Sequence, residues 1–292
     1  MAILMDTGDS SSTIAFIGAG RVATALACAL SRHGMPVTHI ASRSPQSAER
    51  LASGLPGCSA VEPARATGAD MVFVTVPDDD IAPVAAQLPW RHGQLVVHCS
   101  GATEVSALAP AAQAGALTGG FHPLQIFSDP ELAERRLAGS FVAIEGPPPL
   151  ADRLQEIAEL LDMRVLHLPA GARARYHGAA SFAASFLASM LEEAAAIWGS
   201  FGIAEGDALE ALMPLAYGTL DAVRSKGLTG ALAGPLARGD GGVVARHLRD
   251  LDELGARHGA LYREFARRQL DLLERADSLD RDRIEALRKL IG

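Results

Sequence analysis

The chain has 292 residues, of which 49% are hydrophobic and 21% are charged, so it exceeds one typical domain and is not intrinsically disordered. Its formal net charge of −8 and the lack of a Lys/Arg-rich block exclude a nucleic-acid footprint, so we expect a small molecule or another copy as partner. Cys28, Cys58 and Cys99 lack metal-ligand spacing, which predicts buried thiols, no metal site and a cytoplasmic location.

The first 12 residues are predicted to form a flexible tail. They contain Asp6 and Asp9 and lack a basic region and a long apolar core, so they do not resemble a secretory signal. The longest uncharged stretch with helical spacing, residues 178–191, has 14 residues, whereas a membrane span needs about 20. We therefore expect no membrane segment.

From residue 13 to about 168, short β-branched apolar runs alternate with segments of helical spacing. Strands are predicted at 13–17, 37–41, 59–61, 71–76, 95–99, 117–121, 141–144 and 164–168. Helices are predicted between most of them, for example at 22–31, 45–53 and 150–161. This alternation is typical of α/β proteins, and here it predicts a doubly wound, mostly parallel sheet covered by helices.

A glycine-rich turn lies where the first strand ends and the first helix begins. It reads Gly18-Ala19-Gly20-Arg21-Val22-Ala23. Gly18 permits the tight turn, Gly20 removes the Cβ that would block a pyrophosphate, and Ala23 lets helix and strand pack closely. The free N–H groups at the helix start, assisted by the helix dipole, face the anion. The turn predicts a Rossmann-type dinucleotide-binding domain over residues 13–168.

The end of the second strand indicates which dinucleotide binds. An acidic residue there would accept the ribose hydroxyls of NAD, but the chain has Ser42, Arg43 and Ser44. Arg43 can pair with the 2′-phosphate of NADP, and the two serines can donate hydrogen bonds to it. NADP is therefore favoured over NAD. The alternative is that Arg43 is a solvated residue before a helix that starts at Pro45.

Two further strand ends should line the same crevice. Val76 and Pro77 are expected to pass beneath the cofactor ribose, and Ser100 and Gly101 to lie near the nicotinamide. The run of three aspartates at 78–80 is interpreted as helix caps and dipole partners rather than a metal site, because consecutive side chains diverge.

Four stretches together resemble one protein family. They are GFHPLQIF at 120–127, YHGAA at 176–180, LMPL at 212–215 and GPLARGD at 234–240. The chain is similar over about residues 13–275 to the Rossmann-like oxidoreductases of domain of unknown function 2520. It resembles pyrroline-carboxylate reductases, β-hydroxyacid dehydrogenases and deazaflavin-dependent NADP oxidoreductases more distantly. The resemblance implies a nicotinamide-binding domain, a helical C-terminal domain and a dimer, but no particular substrate.

Strand signals stop at about residue 169, which predicts an all-α domain for substrate binding and dimerisation over 169–292. Residues 172–201 are expected to form one long helix that is apolar nearly all round, so a second subunit should cover part of it. Further along, leucines and a phenylalanine recur at helical spacing and predict core positions: 248, 251, 254, 261, 265 and 272. Gly255 and Gly259 are expected to break this region into two helices.

Hydride transfer to a C=O or C=N group also needs a proton. His122 follows a predicted strand at the crevice edge, and His177 starts the long helix that faces the nicotinamide in related two-domain reductases. Either imidazole can transfer a proton near neutral pH, and Tyr176 can act as a hydrogen-bonding acid. The alternatives are a turn-stabilising role for His122 and a capping or packing role for His177. Four other histidines, at 33, 92, 247 and 258, are expected to be solvated.

Four further residues are expected at the substrate. Gln125 should position nicotinamide and substrate together with Ser100 and His122. Ser185 stands where the family often has Asn, which puts a substrate-anchoring role there in doubt because a hydroxyl is shorter. Arg238 could bind a substrate carboxylate, or form an intersubunit or loop-ordering salt bridge. Asp240 could shape the pocket or cap a helix that opens at Gly241.

These patterns together predict an NADP-dependent oxidoreductase that moves hydride between nicotinamide and a small carbonyl or imine compound in the cleft between the two domains. The alternative is a non-catalytic module that senses NADP(H) and acts through a protein partner. Both need the same cofactor residues, and only the enzyme needs a proton donor.

Overall fold

The structure, a computed structural model, describes residues 12–292, so the predicted tail lies almost wholly outside the described residues. The chain divides into two compact units, one up to Ala184 and the other from Ser185 to Gly292. The sequence placed the division earlier, at 168/169. In the structure the boundary lies later, because the first helix after the sheet belongs to the first unit, where the side chain of Arg173 is buried.

An eight-stranded sheet forms the centre of the first unit, in the order β3-β2-β1-β4-β5-β6-β7-β8. The strands are β1 Ile14–Ile17, β2 Val37–Ala41, β3 Ser59–Ala60, β4 Met71–Val74, β5 Leu95–His98, β6 Leu117–Pro123, β7 Phe141–Glu145 and β8 Arg164–His167. β6 and β7 pair antiparallel, and the other described pairings are parallel. The predicted fold class and all eight predicted strands are confirmed.

Helices cover both faces of this sheet. They are α1 Arg21–Arg32, α2 Pro45–Ser53, α3 Pro63–Ala66, α4 Asp78–Gln87, α5 Ala109–Gln113, α6 Pro130–Arg135, α7 Pro148–Leu160 and α8 Arg173–Ala183. Successive residues of β1 alternate between two apolar clusters: Phe16 packs in one and Ile17 in the other. Within the first cluster, the Phe16 ring stacks on Phe73 with centroids 5.1 Å apart, and Phe73 meets Phe121 edge-on at 5.9 Å.

β6 is longer than predicted, and His122 lies inside it rather than after it. Pairing with β5 ends at Gly120, opposite His98. The antiparallel pairing with β7 continues the ladder through His122 and Pro123. A sequence pattern for one strand cannot show this extension, because it depends on the direction of the neighbouring strand.

The predicted long helix over 172–201 is two helices, α8 and α9 Ser185–Gly199, separated at Ala184 with φ −121° and ψ −92°. By length and composition alone, the stretch Arg173–Gly199 could cross a membrane, with a mean hydropathy of 1.3. Core helices of soluble proteins meet the same criterion, but only 6% of the apolar window is buried in the structure. The absence of a membrane segment stays a prediction.

The second unit is helical. Besides α9 it contains α10 Glu205–Gly230, α11 Pro235–Arg238, α12 Gly241–Leu254, α13 Ala256–Arg275 and α14 Arg281–Ile291. Its core includes Val244 and Leu248 of α12 together with Leu270 and Leu273 of α13.

Several predictions for the second unit are wrong in detail. Three predicted core positions, Leu254, Leu261 and Phe265, are exposed, because α12 and α13 pack through the adjacent faces that carry Leu248 and Leu270.

The two predicted helix-breaking glycines have different roles. Gly255 does separate two helices, but Gly259 lies inside α13, where an added Cβ would overlap Asp252 Oδ1. His258 is buried rather than solvated, and its Nδ1 contacts the Glu193 carboxylate.

Candidate active site

The glycine-rich turn follows β1 as predicted. The backbone conformation at position 18 requires a glycine. Its φ is +112°, and an added Cβ would lie 2.5 Å from the carbonyl oxygen of Thr75. The Thr75 hydroxyl donates hydrogen bonds to the carbonyls of Ile17 and Gly18. The turn is thereby fixed against the end of β4.

Gly20 has a different reason to be glycine. It is the N-cap of α1, and an added Cβ would meet no described atom within 4 Å. The turn borders a pocket of about 570 Å³ that is lined by Gly20, Arg21, Val22, Thr75, Val76, Pro77, Ile126, Phe127 and Ser128. Unpaired N–H groups of a helix start and open space above a glycine are what a diphosphate requires. These residues therefore fit the phosphates of a dinucleotide.

The residues after β2 have local partners. Arg43 is exposed and forms an ion pair with Asp80, Nη2 to Oδ2 3.2 Å. Ser44 caps α2 by accepting a hydrogen bond from the Ser47 N–H, and Pro45 is the first residue of that helix, as the sequence indicated. Ser42 lines a second pocket of about 360 Å³.

The aspartates at 78–80 form the first turn of α4, where they face the positive end of the helix dipole, and Pro77 is the N-cap. Within residues 12–292 no group of acidic, His and Cys side chains could hold a metal ion.

The three predicted proton donors come together. His122 Nδ1 and Tyr176 Oη are 2.9 Å apart, and the rings of His122 and His177 meet edge-on with centroids 5.7 Å apart. Gly101 leaves room for both imidazoles, because an added Cβ would lie 2.5 Å from His177 Nδ1 and 2.8 Å from His122 Nε2. Gly101 is therefore a packing glycine of this cluster, which we call the Tyr-His cluster: His122, Tyr176 and His177.

A buried ion pair supports the Tyr-His cluster, and the sequence analysis missed it. Arg173 has no exposed surface; its Nε donates to Glu145 Oε2 and its Nη1 to the carbonyl oxygen of Ser100, both at 2.7 Å. Glu104 accepts backbone N–H groups of Gly171 and Arg173 and so fixes the start of α8. One signal was available: Arg173 precedes Tyr176 by three residues, which puts both on one helix face.

Burial determines the protonation of the histidines. Burial, then the charge of Arg173, lowers the pKa of His98 to about 3. Burial, then His177 and Arg173, lowers the pKa of His122 to about 4. Burial raises the pKa of Tyr176 above its usual value, and the Arg173 charge opposes that effect. At neutral pH His122 is therefore an uncharged imidazole beside a protonated phenol.

Two other predicted residues use their side chains locally. The Ser100 hydroxyl oxygen accepts the N–H groups of Ala102 and Thr103, which shapes the turn after β5. Gln125 Nε2 donates to the carbonyl oxygen of Arg136 at 3.1 Å, and its Oε1 accepts the Ile126 N–H. Contacts of Ser100 and Gln125 with a ligand stay predictions.

The remaining predicted residues lie in the second unit. Ser185 is the first residue of α9. Arg238 pairs with Asp240, Nε to Oδ2 2.9 Å, which favours the loop-ordering interpretation of this arginine. Asp240 stands at the N-cap of α12, yet among the described residues its carboxylate makes no capping hydrogen bond. Substrate contacts of these residues also stay predictions.

Comparison with known families agrees with this architecture. Residues 6–123 match the Rossmann-like domain, and residues 140–269 match the domain of unknown function 2520. The chain thus combines a Rossmann-like domain with a domain of the DUF2520 family, and the resemblance seen in the sequence is confirmed. No curated protein matches the chain.

Solved structures share the fold over nearly the whole chain. Protein TM1727 from Thermotoga maritima is 25% identical, with a TM-score of 0.74 over 90% of this chain and 99% of that one. The candidate NADP oxidoreductase BF3122 from Bacteroides fragilis is 26% identical, with a TM-score of 0.67 over 89% and 98%. An imine reductase from Pseudomonas sp. is 18% identical, with a TM-score of 0.60 over 95% and 91%, and at that identity it shows the fold alone.

We expect His98 to make the protein acid-sensitive. It takes up a proton near pH 3 when folded but near its ordinary pKa of about 6.5 when unfolded. The unfolded chain therefore binds more protons between these values, and stability falls as the pH drops below about 6.5. His98→Asn, which keeps an acceptor for the Ser100 N–H, should remove about 3 kcal/mol of the decline between pH 7 and 4.

Urea unfolding of both proteins at several pH values measures the difference. His33→Asn is the matched control, because His33 is exposed. Parallel declines for wild type and His98→Asn would contradict a neutral buried His98.

Proposed function

We propose that the chain is an NADP-dependent oxidoreductase that transfers hydride between nicotinamide and a small carbonyl or imine compound. The observation that carries the proposal is the turn at Gly18 and Gly20, which opens the N-terminus of α1 to a pocket large enough for part of a dinucleotide. The NADP oxidoreductase candidate from Bacteroides fragilis, which is 26% identical to this chain, supports the proposal.

Each part of the cofactor has residues suited to it. The N–H groups at the start of α1 bind the diphosphate, and Val76 and Pro77 pass beneath the adjacent ribose. Arg43 binds the 2′-phosphate, which would replace the partly buried Asp80 carboxylate as its partner. The nicotinamide supplies the hydride. The sequence-based proposal that the substrate lies in a cleft between the domains stays a prediction.

Tyr176 is the best candidate for the proton donor. Its raised pKa keeps the phenol protonated at neutral pH, whereas the lowered pKa of His122 leaves that imidazole without a proton to donate as a cation. The hydrogen bond between Tyr176 Oη and His122 Nδ1 orients the phenol. His177 is exposed beside them, so it can contact a substrate directly.

A homodimer is part of the proposal. The second unit exposes large apolar side chains on α10 and just after α9: Phe201, Leu215, Tyr217, Leu220 and Leu228. Monomeric soluble proteins rarely expose so much apolar surface in one region. A second copy of the chain in the cytoplasm would cover it, and a sedimentation mass of 30.4 kDa at micromolar concentration would contradict this.

Gly20→Val should abolish NADPH binding without unfolding the protein. The added side chain meets no described protein atom within 4 Å at its Cβ, but it fills the space that a diphosphate needs. NADPH fluorescence and thermal shift should both lose their response, with a melting temperature close to that of the wild type. Gly206→Val, also at an open position near a helix start, is the matched control and should bind normally. NADPH binding by Gly20→Val would refute the proposal.

Arg43→Ala should weaken NADPH binding about tenfold, because a charge-assisted hydrogen bond to phosphate is lost. NADH lacks the 2′-phosphate, so its affinity should change less than twofold. Titration of both cofactors against wild type and variant gives the ratio. Arg21→Ala is the control for a general loss of positive charge, and it should lower both affinities alike. A wild type that binds NADH more tightly than NADPH would refute the role of Arg43.

Tyr176→Phe tests catalysis against the sensor alternative. The variant should keep NADPH affinity and lose at least 100-fold in turnover, which is the order expected for a general acid. The assay follows NADPH oxidation with a panel of small aldehydes, ketones and cyclic imines. If no compound in the panel is turned over by a wild type that binds NADPH, the sensor interpretation is favoured.

A further inference from the structure

The guanidinium of Arg173 contacts three neighbouring strands from one helix. Its Nη1 binds the carbonyl of Ser100 just after β5, and its Nε binds Glu145 at the end of β7. Between them it crosses β6 at Gly120, where an added Cβ would overlap Nη2. In the described part of the chain, Nη2 has no hydrogen-bond partner.

Such an arrangement is costly. Removing a guanidinium from water is strongly unfavourable, and a buried ion pair is often no more stabilising than apolar residues of the same volume. An apolar side chain in place of Arg173, packed against Gly120, could therefore hold α8 on the sheet equally well. A buried arginine with one unsatisfied donor calls for a role beyond attachment.

We propose that Arg173 is a positioning residue for the hydrogen-bonded pair of Tyr176 and His122. Its fork fixes the start of α8 against β5, β6 and β7. Its charge adds to the burial that leaves the imidazole an uncharged partner of the phenol. The inference rests on the proposed function only where it assigns this pair to proton donation.

The spacing along α8 supports the proposal. Tyr176 follows Arg173 by three residues, about one helical turn, so the anchored arginine fixes the position of the phenol. His122 lies on β6, two residues after the Gly120 that Arg173 crosses. One side chain therefore determines the relative position of both partners.

The charges around His122 come from every element at the site. Burial, then the electrostatic influence of His177 and of Arg173, lowers the pKa of His122. Arg173 in turn forms an ion pair with Glu145. The titratable groups of this neighbourhood are His98 on β5, Cys99 and Glu104 in the loop after β5, Glu145 on β7, and Arg173, Tyr176 and His177 on α8. Of these, Arg173 is the one permanent cation.

Replacement of Arg173 should raise the pKa of His122. In Arg173→Gln the cation is lost and the Glu145 carboxylate is left unbalanced, so both changes favour the protonated imidazole. We expect a rise of less than about 1 pH unit, because burial and His177 lower this pKa more than Arg173 does. Arg173→Lys keeps the charge and should leave the pKa near 4, while it loses the fork. Arg175→Gln, two residues further on the same helix and exposed, is the matched control and should change nothing.

Imidazole NMR titration of the apo protein measures these pKa values, with the His122 signal assigned from His122→Asn. The His122 Nδ1 chemical shift also reports the hydrogen bond between this nitrogen and Tyr176 Oη, and we expect it to change in Arg173→Gln. A purely structural anchor would alter the melting temperature but not the pKa. An unchanged His122 pKa in folded Arg173→Gln, or an equal rise in Arg173→Lys, would overturn the proposal.

Glu145→Gln tests the same proposal by removing a negative charge instead of a positive one, so the expected pKa shift has the opposite sign. It removes the carboxylate that balances Arg173, so the pKa of Tyr176 should fall, as measured by the 13C shift of its labelled ring. Circular dichroism checks the fold, and this variant decides the question if Arg173→Gln does not fold. An unchanged Tyr176 pKa would count against the proposal. The affinity for NADPH should stay within twofold of wild type in all these variants. A wild-type protein that does not bind NADPH would refute the proposed function, and that result is separate from the pKa measurements that test the role of Arg173.

Discussion

The buried guanidinium of Arg173 is the constraint on which the arrangement of the site depends. A charge without exposed surface must be paired and hydrogen-bonded, and here the partners come from β7 and from the loop after β5, with β6 in close contact at Gly120. Satisfying it fixes where α8 starts, and the start of α8 determines where Tyr176 meets His122. The pairing of the Arg173 charge and the position of α8 therefore determine the Tyr-His cluster together.

The glycines have two distinct functions in this architecture. Gly18 has a backbone conformation that other residues rarely adopt, and Gly20 leaves space for a ligand. By contrast, Gly101 and Gly120 have ordinary backbones and leave space for side chains: the imidazoles of His122 on β6 and His177 on α8 in one case, and the guanidinium of Arg173 on α8 in the other. Glycines of the first kind lie in the glycine-rich turn after β1, and those of the second kind border the Tyr-His cluster and its supporting arginine.

Local patterns were sufficient to predict the sheet and the turn. Each strand is a β-branched apolar run, and the turn needs particular residues at adjacent positions, so both are encoded within a few residues. Non-local features could not be predicted. The extension of β6 through His122 depends on the direction of β7, and the helix break at Ala184 carries neither glycine nor proline. The burial of Arg173 depends on Gly120, more than 50 positions earlier in the chain.

The reversed strand β7 has a consequence for the charge of the site. Its antiparallel register sets Glu145 opposite Gly120, the residue that Arg173 crosses. Because side chains alternate between the faces of a sheet, a slip of β7 by one residue would turn the carboxylate to the opposite face and leave the cation unneutralised. The register of β7 is thus specified by charge as well as by apolar packing. A sheet with the wrong register would lose both the ion pair and its apolar contacts.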